Sequence, residues 1–177
     1  MRVIVIGGGA AGMMAAYSAK NSMNMVTSSD NDEVILIEKN EKLGKKIFIT
    51  GKGRGNITNN CDKDTFFSNI IRNPKFFNSA FSKFSNIDTM NFFTDNGLKI
   101  KTERGNRVFP ELDKAFLITD TLKKVLNRIG VKMQDKAWEQ RKHRACAGAI
   151  AFEYEGELTD DKGYGSKIQN GRKSVLL

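Results

Sequence analysis

The sequence predicts an α/β fold built on a parallel βαβ unit, and three observations predict it. Val3-Ile4-Val5-Ile6 is an unbroken β-branched run, Gly7-Gly8-Gly9-Ala10-Ala11-Gly12 follows it directly, and Val34-Ile35-Leu36-Ile37 is a second such run ending at Glu38. Strands apolar on both faces are what a parallel sheet covered by helices requires.

The elements follow in order. Behind the glycines, residues 13–20 are good helix formers with no breaker, and the polar stretch from Asn21 to Asp32 reads as a loop before the second strand. Residues 39–60 are dense in Lys, Gly, Asn and Thr, with a short apolar strand expected at Ile47-Phe48-Ile49. Between Phe66 and Phe93 the phenylalanines come at helical spacings. Phe77, Phe81 and Phe84 fall on one helix face, and Phe92-Phe93 close a second helix before Asn96-Gly97. Residues 98–110 read as two strands around Glu103-Arg104-Gly105-Asn106, and residues 115–129 as an amphipathic helix stopped by Gly130. Val131-Lys132-Met133 then begins a strand. From there the character changes: residues 133–177 hold the only Trp and the only His, a strand is expected at 149–154, and residues 163–177 read as loop.

Gly7-x-Gly9-x-x-Gly12 between a strand and a helix is the dinucleotide-binding fingerprint. Gly7 permits the tight turn, Gly9 lets backbone approach a pyrophosphate, and Gly12 lets helix and strand pack closely. Phosphates would sit on the helix N-terminus around Ala10 and Ala11, where unpaired N–H groups and the helix dipole favour negative charge. Glu38, at the end of the second strand, is the acid placed to take ribose hydroxyls. It lies 38 − 12 = 26 residues beyond Gly12, against about 20 in the usual pattern. The excess is assigned to the loop at 21–32, on the sheet edge away from the ligand. A phosphate-binding P-loop is excluded, because Met13-Met14 stands where Lys-Ser/Thr is required.

Chemistry on such folds gathers beyond the carboxyl ends of the strands. The segment after Glu38 supplies Lys39, Lys42, Lys45, Lys46, Lys52 and Arg54, within which Thr50-Gly51-Lys52-Gly53-Arg54-Gly55-Asn56 is a glycine-rich loop. The individual lysines read as a solvated basic face; Arg54 and Asn56 read as ligand contacts.

The composition sets the limits. With 177 residues, 40% hydrophobic and 28% charged, the chain can bury a core. The balance of 29 Lys+Arg against 20 Asp+Glu, +9, calls for an anionic partner. Cys61 and Cys146 are too far apart in sequence for a CxxC metal site, so no metal is expected. No apolar run approaches the roughly 20 residues of a membrane span, and a cytoplasmic location is the expectation.

Three stretches together resemble a bacterial family of NAD(P)/FAD-dependent oxidoreductases, the aminoacetone-oxidase-like and 3-dehydro-bile-acid-reductase-like flavoproteins. They are residues 3–16, residues 38–46 (Glu-Lys-Asn-Glu-Lys-Leu-Gly-Lys-Lys) and residues 49–59 (Ile-Thr-Gly-Lys-Gly-Arg-Gly-Asn-Ile-Thr-Asn). A fourth, Glu103-Arg-Gly-Asn-Arg-Val-Phe-Pro110 with Asp113-Lys-Ala115, resembles a later motif of the same family. The resemblance covers residues 1–132. It implies a Rossmann-like FAD/NAD(P)-binding domain, incomplete and carrying a helical Phe-rich segment, with residues 133–177 as an unassigned tail.

The resemblance further implies bound FAD, with NAD(P)H as electron donor and a small-molecule substrate. Gly7, Gly9, Ala10, Ala11, Gly12 and Glu38 would hold the ADP half, and Lys39, Lys46, Thr50, Gly51, Gly53, Arg54 and Asn56 would lie near the pyrophosphate and flavin. The flavin carries the hydride chemistry in such enzymes, so no catalytic acid or base is assigned. Two departures stand out. Gly55 occupies a place where the family usually has cysteine, and the family's later Ala-Thr-Gly-Gly-like and Gly-Asp-like motifs are absent, so a truncated or frameshifted product with a missing C-terminal half is expected. Two other readings compete: an inactive remnant, betrayed by an uncovered apolar strand edge, and a basic RNA-binding module. The clustering of cations beside a nucleotide motif disfavours a nucleic-acid partner.

Overall fold

The computed structural model describes residues 1–26 and 32–134, and the backbone of 168–169 and 172–173. Strand β1 (Arg2–Ile6) leads into helix α1 (Ala10–Val26) and strand β2 (Glu33–Ile37), and β1 pairs with β2 in parallel, Val3 opposite Val34 and Val5 opposite Leu36. This is the βαβ unit the sequence predicts. A 3-10 segment (Ile47–Gly53) follows, then β3 (Thr58–Asn59), α2 (Lys63–Ser68), α3 (Pro74–Lys83) and α4 (Asn86–Asp95). The hairpin β4 (Ile100–Glu103) and β5 (Arg107–Pro110), helix α5 (Phe116–Arg128) and β6 (Lys132–Gln134) complete the first compact unit, which spans Met1–Trp138. In the second unit, Glu139–Leu177, β7 (Ile168–Gln169) pairs antiparallel with β8 (Arg172–Lys173).

Two sheets organise the first unit. The parallel one runs β1-β2-β6; the antiparallel one runs β3-β5-β4. Val34 and Leu36 of β2 are fully buried against Met13, Ala16 and Met23 of α1 and Ile118, Leu122, Val125 and Leu126 of α5. Burying such a side chain contributes about 1.5–3 kcal/mol. Tyr17 meets Phe92 edge to face at 5.1 Å and so joins α1 to α4.

The opposite face of the parallel sheet differs from the expectation of strands covered on both sides. Ile4 and Ile6 are 42% and 52% exposed, and Ile35 and Ile37 beside them are half-buried. At the start of the sheet Glu33 pairs with Arg2 of β1 and Lys132 of β6, a charged tie across all three strands. The outer edge of β1 carries no strand among the described residues.

Four local expectations change. Helix α1 continues through residues 21–26, because Met23 is buried there and packing outweighs the polar composition. The longer separation between Gly12 and Glu38 is therefore largely helix. Ile47-Phe48-Ile49 is no strand: Ile47 packs inward, Ile49 is 74% exposed, and the Thr50 hydroxyl donates back to the Ile47 carbonyl at 2.7 Å. A short apolar run carries no period to separate the two conformations. Phe84 leaves the face of Phe77 and Phe81; it caps α3 in extended conformation and turns to Phe92, while the other two pack with Phe66 and Phe67. The basic C-terminal stretch, read as loop, contains β7 and β8, paired Ile168 with Lys173 and Gln169 with Arg172. The strand expected at 149–154 and His143 lie outside the described residues.

Candidate nucleotide-binding site

The turn between β1 and α1 gives each fingerprint glycine its own physical reason. Gly7 has φ +99°, a region that side chains other than hydrogen rarely enter. A Cβ on Gly12 would lie 1.7 Å from the Gly7 carbonyl oxygen, so helix and strand close onto each other only through glycine. A Cβ on Gly9 would meet nothing within 4 Å. Gly9, Ala10 and Ala11 are exposed, and the helical ladder begins with Met13 N–H donating to Gly9 C=O at 2.9 Å. The N–H groups ahead of that first bond have no intrahelical acceptor. The result is an open helix start with its positive dipole end toward solvent, a cradle that suits a pyrophosphate.

Gly8, which the fingerprint does not name, is closely packed as well. Its Cβ would meet Leu43 Cδ2 at 2.1 Å and Glu38 Cβ at 3.0 Å. The Gly8 amide donates to Glu38 Oε2 at 2.6 Å, and its carbonyl accepts from the Gly44 amide at 2.7 Å. Glu38 is only 6% exposed, and its Oε1 accepts from the Asn40 amide at 2.8 Å and from Asn40 Nδ2 at 2.6 Å. Burial opposes ionisation of this carboxyl, but the N–H donors of Asn40, Gly8 and Lys39 outweigh it and hold the pKa below the usual value. Glu38 thus ties the glycine turn to the start of the basic segment. Asn40 was not singled out by the sequence; its position two residues after the acid is the only local sign of it.

The basic segment divides into two groups. Lys39, Lys42, Lys46 and Lys52 are exposed and form no ion pair among the described residues, whereas Lys45 pairs loosely with Glu41. Arg54 and Asn56, read from sequence as ligand contacts, also bond within the protein, Arg54 through Nε and Nη2 and Asn56 through Nδ2. Arg54 Nε and Nη2 donate to Asp113 Oδ1 at 3.0 and 2.7 Å, Nη2 also donates to Glu103 Oε1 at 2.5 Å, and the guanidinium lies 4.2 Å over the Phe109 ring. Asn56 Nδ2 donates to the carbonyls of Val108 and Thr58. A ligand at Arg54 Nε or Nη2, or at Asn56 Nδ2, would compete with a carboxylate or a strand carbonyl.

The loop itself rests on the β4–β5 hairpin and the start of α5. Gly51 faces the Phe109 ring, the Gly53 carbonyl accepts from the Ala115 amide at 3.0 Å, and Gly55 packs against Ala115 and Ile118. Gly44 to Ile47, joined by a 2.7 Å backbone bond, connects this loop to the glycine turn through the Gly8–Gly44 bond. Among the described residues no group of three His, Cys, Asp or Glu could hold a metal ion, and no helix is long and apolar enough to cross a membrane.

Residues 1–160 match the family described as HI0933-like protein Rossmann domain, a match that runs past residue 132. The chain is 35% identical over 133 residues to the 3-dehydro-bile acid delta(4,6)-reductase of Clostridium scindens, covering 75% of this chain and 30% of that protein. It is 28% identical over 130 residues to the ribosomal RNA dihydrouridine synthase of Haemophilus influenzae, 73% of this chain and 30% of that one. Against the Escherichia coli enzyme of the same name the identity is 31% over 119 residues, 67% and 27% of the two chains. This chain therefore spans somewhat under a third of the length of these curated relatives. With the glycine turn, the parallel βαβ unit and a match over most of its length, the chain belongs to the HI0933-like Rossmann-domain family.

Proposed function

We propose that this chain is the FAD-gripping part of an oxidoreductase that uses NAD(P)H as donor and acts on a small molecule. The single observation that carries the reading is the glycine turn: an open helix start at Gly9–Ala11 beside a buried, ionised acid at the end of β2. FAD, when bound, supplies the hydride transfer. The chain's own part is to bind and orient: the α1 N–H groups take the pyrophosphate, and Glu38 takes the ribose hydroxyls while anchoring Gly8. Lys39 and Lys46 supply positive potential beside the phosphates. The 50–56 loop lies toward the flavin.

The test is the visible spectrum of the gel-filtered protein after incubation with FAD. Retained flavin absorbance at one equivalent supports the reading, and none in a folded chain removes it. Glu38→Gln should weaken FAD retention about tenfold or more, the cost of losing a charged hydrogen-bond acceptor. The same side chain predicts acid sensitivity. Because the folded pKa of Glu38 lies below its ordinary 4.5, the unfolded state binds the proton more readily. Its stabilising contribution is complete above that value and is lost as pH falls through the lowered folded value. Acid unfolding of Glu38→Gln should therefore be shallower than that of the wild type in this window.

A second reading has its own support. The net charge of +9 and the four exposed lysines that form no ion pair among the described residues fit a polyanionic substrate, and two of the relatives carry the name ribosomal RNA dihydrouridine synthase. If those four lysines each meet a phosphate of single-stranded RNA, log K should fall with log salt at a slope of about −3. A flat, weak isotherm ends this reading and leaves the small-molecule one.

A further inference from the structure

We infer that Asp113, with Lys101 and Glu103, is a positioning residue that clamps the glycine-rich loop at 50–56 through Arg54; the role toward flavin rests on the function proposed above. Four charged side chains from three separate segments converge here. Asp113 Oδ1 accepts both Arg54 donors, Asp113 Oδ2 accepts from Lys101 Nζ at 2.7 Å, and Glu103 Oε1 lies 2.5 Å from Arg54 Nη2 and 3.3 Å from Lys101 Nζ. Two cations alternate with two anions, so each carboxylate serves both cations. The hydrogen bonds from Lys101 and Arg54 hold the Asp113 carboxyl below its ordinary range, and those from Arg54 and Lys101 do the same for Glu103.

The backbone shows what the clamp holds. Asp113 sits at φ +55°, a left-handed conformation that Asp and Asn tolerate better than other side chains, and this places its carboxylate at the turn before α5. One residue past Lys114, the Ala115 amide holds the Gly53 carbonyl. On the loop side Gly51, Lys52 and Gly53 are all left-handed, at φ +55°, +57° and +86°. Glycine enters this region freely, so the cost falls on Lys52, a left-handed non-glycine residue that persists where the surroundings over-determine it. Arg54 is that determinant: its planar fork meets Asp113 and Glu103 together and its face covers Phe109, geometry that a lysine point charge cannot reproduce. Arg54 therefore acts on the cofactor through the loop backbone, and Lys52, exposed at the tip, is the side chain the clamp presents.

The experiment uses the 177-residue chain and two readouts, hydrogen exchange of a peptide covering 47–56 and the dissociation rate of FAD. Asp113→Asn keeps the left-handed backbone and removes the charge. It should raise exchange in 47–56 about tenfold while the α5 peptide 116–128 keeps its protection. FAD should leave several-fold faster, with Tm unchanged. Lys101→Met, which leaves the Arg54–Glu103 contact, should give a smaller effect in the same direction, and it serves if Asp113→Asn does not fold. Arg54→Lys should not restore wild-type protection. Unchanged exchange in all three variants overturns the clamp. Faster exchange with unchanged FAD release overturns its positioning role. A wild-type chain that binds no FAD refutes the proposed function instead, while the exchange data alone decide the clamp.

Discussion

Gly12→Ala should abolish the folded state of the first turn, whereas Gly9→Ala, three residues away, should leave it intact and remove nucleotide binding. A methyl on Gly12 would stand 1.7 Å from the Gly7 carbonyl oxygen, and that neighbour is backbone at φ +99° with nowhere to move. The clash separates β1 from α1 at the layer where Met13, Val34 and Leu36 are buried, and overpacking of this kind costs about 3 kcal/mol or more. Gly9 is the opposite case: its methyl meets nothing within 4 Å and its φ is not positive. Thermal unfolding of Gly9→Ala should match the wild type or rise slightly, since alanine restricts the unfolded chain by about 0.4–1 kcal/mol. The same methyl occupies the space through which a pyrophosphate reaches the amides, so FAD affinity should drop about tenfold or more. Equal FAD affinity in Gly9→Ala and wild type would mean that the open helix start is not where the cofactor sits.

Gly55→Cys, which installs the residue usual at this place in the resembled family, should lower Tm by about 10 °C. Gly55 has φ +78°, and its Cβ would meet Ile118 Cδ1 at 2.6 Å, Ala115 Cα at 2.8 Å and Ala115 Cβ at 3.1 Å. The left-handed backbone costs about 1–2 kcal/mol for a side chain, and overpacking against α5 adds a similar amount. About 3 kcal/mol in a chain of this size corresponds to that Tm shift. Relief should come from the neighbour: Ile118→Val removes the Cδ1 atom, so the double variant should recover part of the loss, a coupling that a thermodynamic cycle reads directly. A Gly55→Cys chain that melts with the wild type would show that the loop does not rest on α5 as described. In this chain the position is a packing contact, and Cys61, with its carbonyl held by Asn86 Nδ2 at 2.8 Å, belongs to the junction with α4.

Both predictions turn on which features of the chain are local. The βαβ unit was legible because its signals are contiguous: a β-branched run, a glycine turn, a helix without breakers and a second run follow one another in 37 residues. The roles of Gly7 and Gly12 were legible for the same reason, since turn conformation and close approach are set within five residues. Helix α5 and the β4–β5 hairpin were legible from an amphipathic period and from Gly105-Asn106, whose left-handed φ values of +76° and +57° the turn requires.

What the sequence could not show depends on partners distant in the chain. Arg54 in a glycine-rich loop reads as a ligand contact, and its partners Asp113, 59 residues on, and Glu103, 49 residues on, are too distant in the chain for the sequence to show. The bond from the Asn56 amide to the Val108 carbonyl, 52 residues away, is equally invisible in the sequence. Residues 21–26 are polar in composition and helical in fact because burial of Met23 outweighs their weak propensity. The chain by itself determined its first strand, its glycine turn and the acid that follows, since these rest on dihedral sterics and local hydrophobic pattern. Only the tertiary structure decided which glycine faces open space, which carries a close contact, and that the basic loop is held by carboxylates before any ligand reaches it.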